Sequence, residues 1–84
     1  MPYKILIDKQ ASKFIRKLNK EQQSKILSAI KNLPFSGDTK KLSGYDNFFR
    51  LRVGTFRVIY SIKQNILLVE VIAIGNRGDI YKHI

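Results

Sequence analysis

A β-hairpin is predicted by the stretch Phe49-Arg50-Leu51-Arg52-Val53-Gly54-Thr55-Phe56-Arg57-Val58-Ile59-Tyr60. Its centre, Gly54-Thr55, suits a two-residue turn in which glycine occupies the first central position. With that turn, Arg52 on the first strand lies directly opposite Arg57 on the second strand. The pairing register of the whole hairpin follows from this turn.

The two faces of this hairpin have opposite chemistry, because successive side chains of a strand point to opposite sides of the sheet. One face is apolar and is expected to join the core: Phe49, Leu51, Val53, Phe56, Val58 and Tyr60. The other face carries Arg50, Arg52 and Arg57. Like charges that face each other across strands destabilise a sheet by up to roughly 1 kcal/mol. The arrangement therefore indicates that this face binds an anion.

The composition narrows the class of ligand. The chain has 84 residues, read as a single domain spanning 1–84, with sixteen basic and six acidic residues and a formal net charge of +10. Such a charge favours a polyanionic ligand or an acidic protein partner. Apart from Arg16, every arginine lies in the C-terminal half. Arginine grips phosphate bidentately, whereas the lysines of the helices are interpreted first as a solubilising surface.

Several classes of protein are excluded by residues that the chain lacks. There is no cysteine, so disulfides, thiolate zinc sites and a cysteine nucleophile are excluded. The six acidic residues show no paired spacing suited to a metal, and a P-loop is absent. The first residues lack a secretory apolar region, and the longest apolar run, Ile66–Val69, is too short to cross a bilayer. A soluble cytoplasmic protein without metal or cofactor is expected.

Ahead of the hairpin the chain predicts a short strand, Tyr3–Ile7, followed by two amphipathic helices. Asp8 and Asn19 are the expected N-caps, and Pro34 ends the second helix. The apolar stripe of the first helix comprises Ala11, Phe14, Ile15 and Leu18. That of the second comprises Ile26, Leu27, Ile30 and Leu33. The two helices are expected to form a hairpin.

The remaining segments complete an α+β fold. Residues 34–47 are rich in turn formers and are predicted to be a loop. After the hairpin, a turn at 63–65 leads into an apolar strand over 66–74, which Gly75-Asn76 ends before a short tail. The fold class is thus an N-terminal strand, a helical hairpin, an antiparallel three-strand meander and a short C-terminal tail or helical turn. The sheet order stays open, since the first strand can pair on either side of the meander.

Three motifs in order resemble the RelE/ParE toxin superfamily. They are Lys41-Leu42-Ser43-Gly44, the hairpin stretch 49–60, and Ile74-Gly75-Asn76-Arg77-Gly78-Asp79-Ile80-Tyr81. They resemble the KLxG, YRLRVGxYRVIY and GxRxxxY patterns of that superfamily. The order of the elements is similar as well, so the resemblance covers essentially the whole chain and implies a small RelE-like fold.

The resemblance implies the toxin of a type II toxin–antitoxin system, of the RelE branch, which cleaves mRNA in the ribosomal A site without a metal. Carried over by motif position, the site comprises Arg50, Arg52, Arg57, Arg77 and Tyr81. The implied reaction is attack by a ribose 2′-OH on the adjacent phosphate. The implied partners are the ribosome with its mRNA and a RelB-like antitoxin with an acidic segment.

The general base is the position at which the sequence departs from the pattern. RelE-type nucleases often have lysine where this chain has Arg50 and Arg52, and arginine is effectively never deprotonated. Many relatives have histidine in place of Asn76. Tyr81 and His83 remain as candidate bases, and His83 is also a candidate RNA-binding residue.

Two alternatives therefore stay open. One is a ParE-like toxin that inhibits DNA gyrase by binding. The other is a catalytically inert module that binds RNA or an antitoxin.

Overall fold

The computed structural model describes residues 3–33, 37–42 and 48–76. Two helices cover one face of a five-stranded sheet with the strand order β1-β5-β4-β3-β2. The β1/β5 pair is parallel and the other pairs are antiparallel. The elements are β1 (Lys4–Ile7), α1 (Lys9–Arg16), α2 (Lys20–Lys31), β2 (Asp38–Lys41), β3 (Phe48–Val53), β4 (Phe56–Lys63), a 3₁₀ turn (Gln64–Ile66) and β5 (Leu68–Asn76).

The predicted hairpin is confirmed in its register. Val53 pairs with Phe56, and Arg52 pairs with Arg57. Gly54 has φ +59°, a backbone conformation that favours glycine, as the first central position of this turn requires. The two-residue turn thus decides which side chains of β3 and β4 share a face.

The core lies between the helices and the apolar face of the sheet. All six apolar hairpin residues take part in it, either fully buried or packed against the buried cluster, as predicted. Phe14 of α1 meets Phe56 edge-to-face, with ring centroids 5.9 Å apart. Phe49 and Tyr60 stack at 5.5 Å. Leu27 does not belong to this core: it is 43% exposed, since it lies at the edge of the α2 stripe beside the buried Ile26.

The two predicted N-caps have different outcomes. Asn19 caps α2, because its side-chain oxygen accepts a hydrogen bond of 2.8 Å from the backbone N–H of Gln22. Asp8 occupies the N-cap position of α1 but makes no capping hydrogen bond with its side chain. Its carboxyl group instead interacts with Glu70 of the neighbouring β5. The predicted N-cap position of Asp8 is therefore confirmed, but its side chain does not make the expected capping hydrogen bond.

Two predicted boundaries also change. The segment 34–47 contains a strand, β2, which pairs with β3 and places Thr39 opposite Leu51. The last strand begins later than predicted, because Leu67 adopts a left-handed conformation (φ 50°) after the 3₁₀ turn. That strand ends later as well, since Gly75 and Asn76 still pair with β4.

Within the described ranges, the longest helix is α2, with 12 residues. None of the helices in these ranges is long and apolar enough to cross a membrane.

Candidate nucleic-acid interface

The three hairpin arginines lie on the sheet face that is turned away from the helices. Arg52 and Arg57 are direct partners across β3 and β4, and Arg50 pairs with Ile59. Directly opposed residues in an antiparallel pair have Cβ atoms roughly 4.5–5.5 Å apart. The structure therefore brings these three side chains together, as strand alternation predicted. We call this cluster, Arg50, Arg52 and Arg57, the arginine face.

A fourth basic residue, Lys40, extends the arginine face. Lys40 lies on β2 directly opposite Arg50, and its side chain is exposed. Lys40 was not among the predicted site residues, because 34–47 was predicted to be a loop, where no alternation of side chains is expected. The position of Lys40 opposite Arg50 follows from the pairing of β2 with β3, and the sequence Asp-Thr-Lys-Lys alone gives no signal for that pairing.

Arg57 is held by the turn of its own hairpin. Its Nη1 donates hydrogen bonds to the backbone carbonyl oxygens of Phe56, at 3.1 Å, and of Gly54, at 3.4 Å. The side chain is half-buried. These bonds use one terminal nitrogen, and a guanidinium has five N–H donors. Arg57 is thus oriented while keeping donors for a bound anion.

Arg50 and Arg52 differ in exposure. Arg52 is exposed, whereas Arg50 is half-buried and its Nε is fully shielded from solvent. A small apolar cluster lies on the same face, formed by the buried Ile59 and Ala73 with Leu42 packed against them. The arginine face therefore combines exposed positive charge with an adjacent apolar surface of low dielectric constant. Electrostatic interactions are stronger there than in water.

At the other end of the same sheet face, the side chains of Asp8 and Glu70 interact with each other, and Glu70 also pairs with Lys63. Lys63 Nζ lies 3.4 Å from Glu70 Oε1. Desolvation and the neighbouring Glu70 carboxyl raise the pKa of Asp8 above its ordinary value of 3.8, while Lys63 opposes the shift. No group of three or more His, Cys, Asp or Glu side chains that could hold a metal ion occurs in residues 3–33, 37–42 and 48–76.

Tyr60 lies in the core. Burial raises the pKa of its phenol, and a hydrogen bond with Thr39 partly offsets this effect. A phenol held in this way has no access to a ligand on the arginine face. Three other candidate residues, Arg77, Tyr81 and His83, lie outside the described residues. Arg77 follows directly on Asn76, which pairs with Phe56 next to the hairpin turn.

Comparisons with known proteins place the fold and the family. The family described as the ParE toxin of type II toxin–antitoxin system, parDE, matches residues 5–81. No curated protein sequence matches the chain.

Solved structures of RelE toxins are similar to the chain over almost its whole length. In the archaeal RelE–RelB complex from Pyrococcus horikoshii, the similar chain is 28% identical, with a TM-score of 0.80, covering 94% of this chain and 99% of that one. The isolated E. coli RelE toxin is 26% identical, with a TM-score of 0.68 and coverage of 96% and 93%. In the intact E. coli RelBE complex, the similar chain is 24% identical, with a TM-score of 0.74, covering 88% of this chain and 95% of that one. This similarity is one of fold. With a family match over residues 5–81 and this shared fold, the chain belongs to the RelE/ParE superfamily of type II toxin–antitoxin toxins.

Proposed function

We propose that this toxin is a ribosome-dependent endoribonuclease that cleaves mRNA in the ribosomal A site and so inhibits translation. The observation that carries the proposal is the direct pairing of Arg52 with Arg57 beside Arg50 on the helix-free face of the sheet. Three adjacent guanidiniums repel one another, and a phosphate group relieves that repulsion. The likeness to RelE toxins at 26–28% identity supports the same activity.

The reaction needs charge stabilisation and positioning rather than a covalent intermediate with the protein. The ribose 2′-oxygen forms a bond to the adjacent phosphorus, and the bond from that phosphorus to the next nucleotide's 5′-oxygen breaks. The 2′-OH gives up its proton to a base, for which Tyr81 and His83 are the candidates, and the leaving 5′-oxygen takes up a proton. The products are a 2′,3′-cyclic phosphate and a 5′-hydroxyl. Preorganised guanidiniums lower the free energy of the negatively charged transition state.

We assign the roles on this basis. Arg57 and Arg77 clamp the transferring phosphoryl group, and Arg77 also donates a hydrogen bond to the leaving 5′-oxygen. Tyr81 stacks on a base or orients the 2′-OH, and His83 contacts the RNA. Arg50 and Arg52 hold the flanking phosphates, since a residue that is always protonated cannot act as the base.

The hydrogen bonds of Arg57 to the hairpin turn support its role as a clamp. A guanidinium that is already oriented by the Gly54 and Phe56 carbonyls loses less side-chain entropy when it binds phosphate. Removing one such preorganised donor lowers rate constants by roughly 10²- to 10³-fold in other enzymes. The same loss is expected here for Arg57→Ala.

The test is in vitro translation followed by primer extension on the message. Wild type should give cuts positioned at codons, and Arg57→Ala should lose them while keeping the thermal melt near that of wild type. Lys31→Ala is the matched control, since Lys31 is an exposed cation on α2, away from the arginine face. Unchanged cleavage by Arg57→Ala would show that the site is assigned wrongly.

Gyrase inhibition is the second candidate, because the matched family is described as the ParE toxin. A supercoiling assay with purified DNA gyrase run beside the translation assay separates the two functions. Inhibited supercoiling with intact mRNA supports the ParE-like function and overturns the nuclease proposal. Absence of both effects leaves a module that binds RNA or an antitoxin without catalysis.

We also propose a RelB-like antitoxin with an acidic segment as the partner of this chain. The P. horikoshii and E. coli structures are RelE–RelB complexes, and the net charge of +10 here favours an acidic partner. An acidic segment that folds on binding would cover the arginine face and exclude RNA from it. This proposal is checked by measuring whether such a segment competes with RNA for binding to the protein. The competition should be weaker with Arg57→Ala.

A further inference from the structure

Lys40 lies on an edge strand of the sheet, beside the arginine face. Its position on β2 is directly opposite Arg50, and Arg50 in turn pairs with Ile59 of β4. Directly opposed residues share one face of a sheet, so Lys40 belongs to the face that is turned away from the helices. Its side chain is exposed. In residues 3–33, 37–42 and 48–76, no hydrogen bond or ion pair joins the Lys40 side chain to another residue.

The position of Lys40 repeats the charge repulsion of the arginine face. Lys40 faces Arg50 in one row of the sheet. Arg52 faces Arg57 in the next row. Like charges that face each other in this way destabilise a sheet. A lysine on an edge strand also prevents pairing with other chains, but the exposed Lys41 on the same strand is sufficient for that purpose. Two adjacent rows of like charge favour a ligand that has more than one anionic group.

The distance between Lys40 and Arg57 suits two phosphate groups rather than one. Lys40 is two strands away from Ile59, which lies two residues along β4 from Arg57. With about 4.8 Å between strands and about 3.3 Å per residue, the Cα atoms of Lys40 and Arg57 are roughly 12 Å apart. The hydrogen bonds of Arg57 to the carbonyl oxygens of Gly54 and Phe56 also hold its guanidinium at the hairpin turn, away from Lys40. The two cations therefore suit different phosphates.

The other directions across this face do not favour phosphate. Toward β5 the face continues with Ala73 and Gly75, and neither residue has a side-chain hydrogen-bond donor. Toward the far end of β4, Lys63 is paired with Glu70, and Asp8 adds a second carboxyl group there. Carboxylates repel phosphate. Among the residues that the structure describes, a chain of phosphates that starts at the hairpin turn therefore meets further cations toward β2.

The row of cations ends at the edge of the sheet, because β2 is the last strand in the sheet order. A linear polyanion matches such a row better than a compact anion does, since its charges are spaced along a chain. Single-stranded RNA has one phosphate per nucleotide, and lysine binds phosphate as a point charge. Consecutive phosphates of one RNA strand therefore fit this row.

We propose that Lys40 binds a flanking phosphate of the substrate RNA beside Arg50, at least one nucleotide away from the phosphate that Arg57 clamps. The RNA strand then crosses the sheet from the hairpin turn to the β2 edge. The proposal rests on the proposed function, since it takes single-stranded RNA as the ligand of the arginine face. It adds a second phosphate subsite, and it makes the contribution of Lys40 depend on the length of the RNA.

The experiment measures how the full chain binds 2′-O-methyl RNA oligonucleotides that carry one to four phosphates, by competition with a fluorescent RNA at about 50 mM salt. The methyl group blocks the attacking oxygen, so the RNA stays intact. Lys40→Gln should bind the one-phosphate oligonucleotide as wild type does and the longer ones roughly three- to tenfold more weakly. For the longer ones its log–log salt slope should fall by about 0.7, the value for one phosphate of a single strand.

Lys41→Gln is the matched control. Lys41 is exposed on the same strand but lies opposite Phe49, on the other face of the sheet, so this variant removes the same charge from the same element. Its binding should stay close to that of wild type at every length. Lys40→Arg keeps the charge and should retain most of the affinity. Circular dichroism melts of the three variants confirm that each is folded.

Three results overturn the proposal. Equal binding by Lys40→Gln and Lys41→Gln at every length would mean that Lys40 is only a charge at the sheet edge. A loss by Lys40→Gln that is already complete with one phosphate would mean that Lys40 shares the phosphate of Arg57. Failure of wild type to bind any of the oligonucleotides would remove the RNA path altogether.

Primer extension with wild type tests the proposed function separately. Codon-positioned cuts together with any of these three results would reject the role of Lys40 and leave the nuclease proposal intact. A length-dependent loss in Lys40→Gln without any cuts by wild type would reject the nuclease proposal and support the RNA path.

Discussion

At the scale of single residues, the hairpin turn links backbone geometry to the chemistry of the arginine face. Gly54 provides the positive φ that a two-residue turn needs, and its carbonyl accepts one of the hydrogen bonds of Arg57. The same residue therefore sets the register of β3 and β4 and helps to orient the guanidinium. A change at Gly54 tests both effects.

Gly54→Ala should destabilise the protein by about 1–2 kcal/mol, the usual penalty of a left-handed conformation for an L-residue. A Cβ at this position meets no atom within 4 Å, so the penalty comes from the backbone alone. Thermal unfolding followed by circular dichroism should show a melting temperature lower by roughly 4–8 °C per kcal/mol. Gly54→Asn is the control, because asparagine tolerates positive φ, and it should lose less. Equal losses in both variants would contradict this explanation.

Asp8 gives a prediction about pH. Its pKa is raised in the folded protein, so the protonated carboxyl adds to the free energy of unfolding. This stabilisation is complete below pH 3.8 and is lost as the pH rises through the pKa of the folded state. Once the pH exceeds the folded pKa of Asp8, its ionised carboxylate lies beside Glu70. Asp8→Asn removes a like-charge contact worth roughly 0.2–1 kcal/mol and should raise the melting temperature at pH 7 by roughly 1–8 °C.

The gain from Asp8→Asn should vanish below pH 3.8, where the wild-type carboxyl is protonated. Glu70→Gln is the control. It breaks the contact with Lys63 and should give a smaller gain than Asp8→Asn or none. A lower melting temperature for Asp8→Asn at pH 7 would show that the Asp8 carboxylate stabilises the fold.

At the scale of elements, the sequence predicted local structure correctly where a single residue type determines the backbone geometry. The Gly54 turn and the Asn19 cap are of this kind, and both were predictable. Asp8 occupies the N-cap position without a side-chain capping bond, because its carboxyl group interacts with Glu70, a residue distant in the sequence. The strand β2 was missed since its sequence, Asp-Thr-Lys-Lys, has little strand propensity and is stabilised by pairing with β3.

The α2 cap allows a direct test at this scale. Asn19→Ala removes the bond to the Gln22 N–H and should destabilise the protein by about 1 kcal/mol, which lowers the melting temperature by roughly 4–8 °C. Asn32→Ala is matched in chemistry, because Asn32 lies at the other end of α2 and bonds the exposed Ser28 carbonyl. It should change the melting temperature much less. Similar losses at the two ends would argue against capping as the cause.

At the scale of the whole molecule, charge is distributed over both layers of the fold. The arginine face lies on one side of the sheet, and the exposed Lys9, Lys13 and Lys17 at helix α1 lie on the other, in a chain with a net charge of +10. Clustered like charges repel within a compact domain and lower its stability. Such a protein is expected to gain stability when its charge is screened or covered by a polyanionic partner.

The free protein should therefore become more stable as sodium chloride rises from about 0.01 M, where the Debye length is about 30 Å, to about 0.15 M, where it is about 8 Å. A recovery of about half a kcal/mol corresponds to a rise of roughly 2–4 °C in melting temperature. The variant K9Q/K13Q/K17Q should melt higher than wild type at the low-salt end and respond less to salt, since three repelling charges are gone. A melting temperature that falls with salt would mean that ion pairs, rather than repulsion, dominate the electrostatics of this fold.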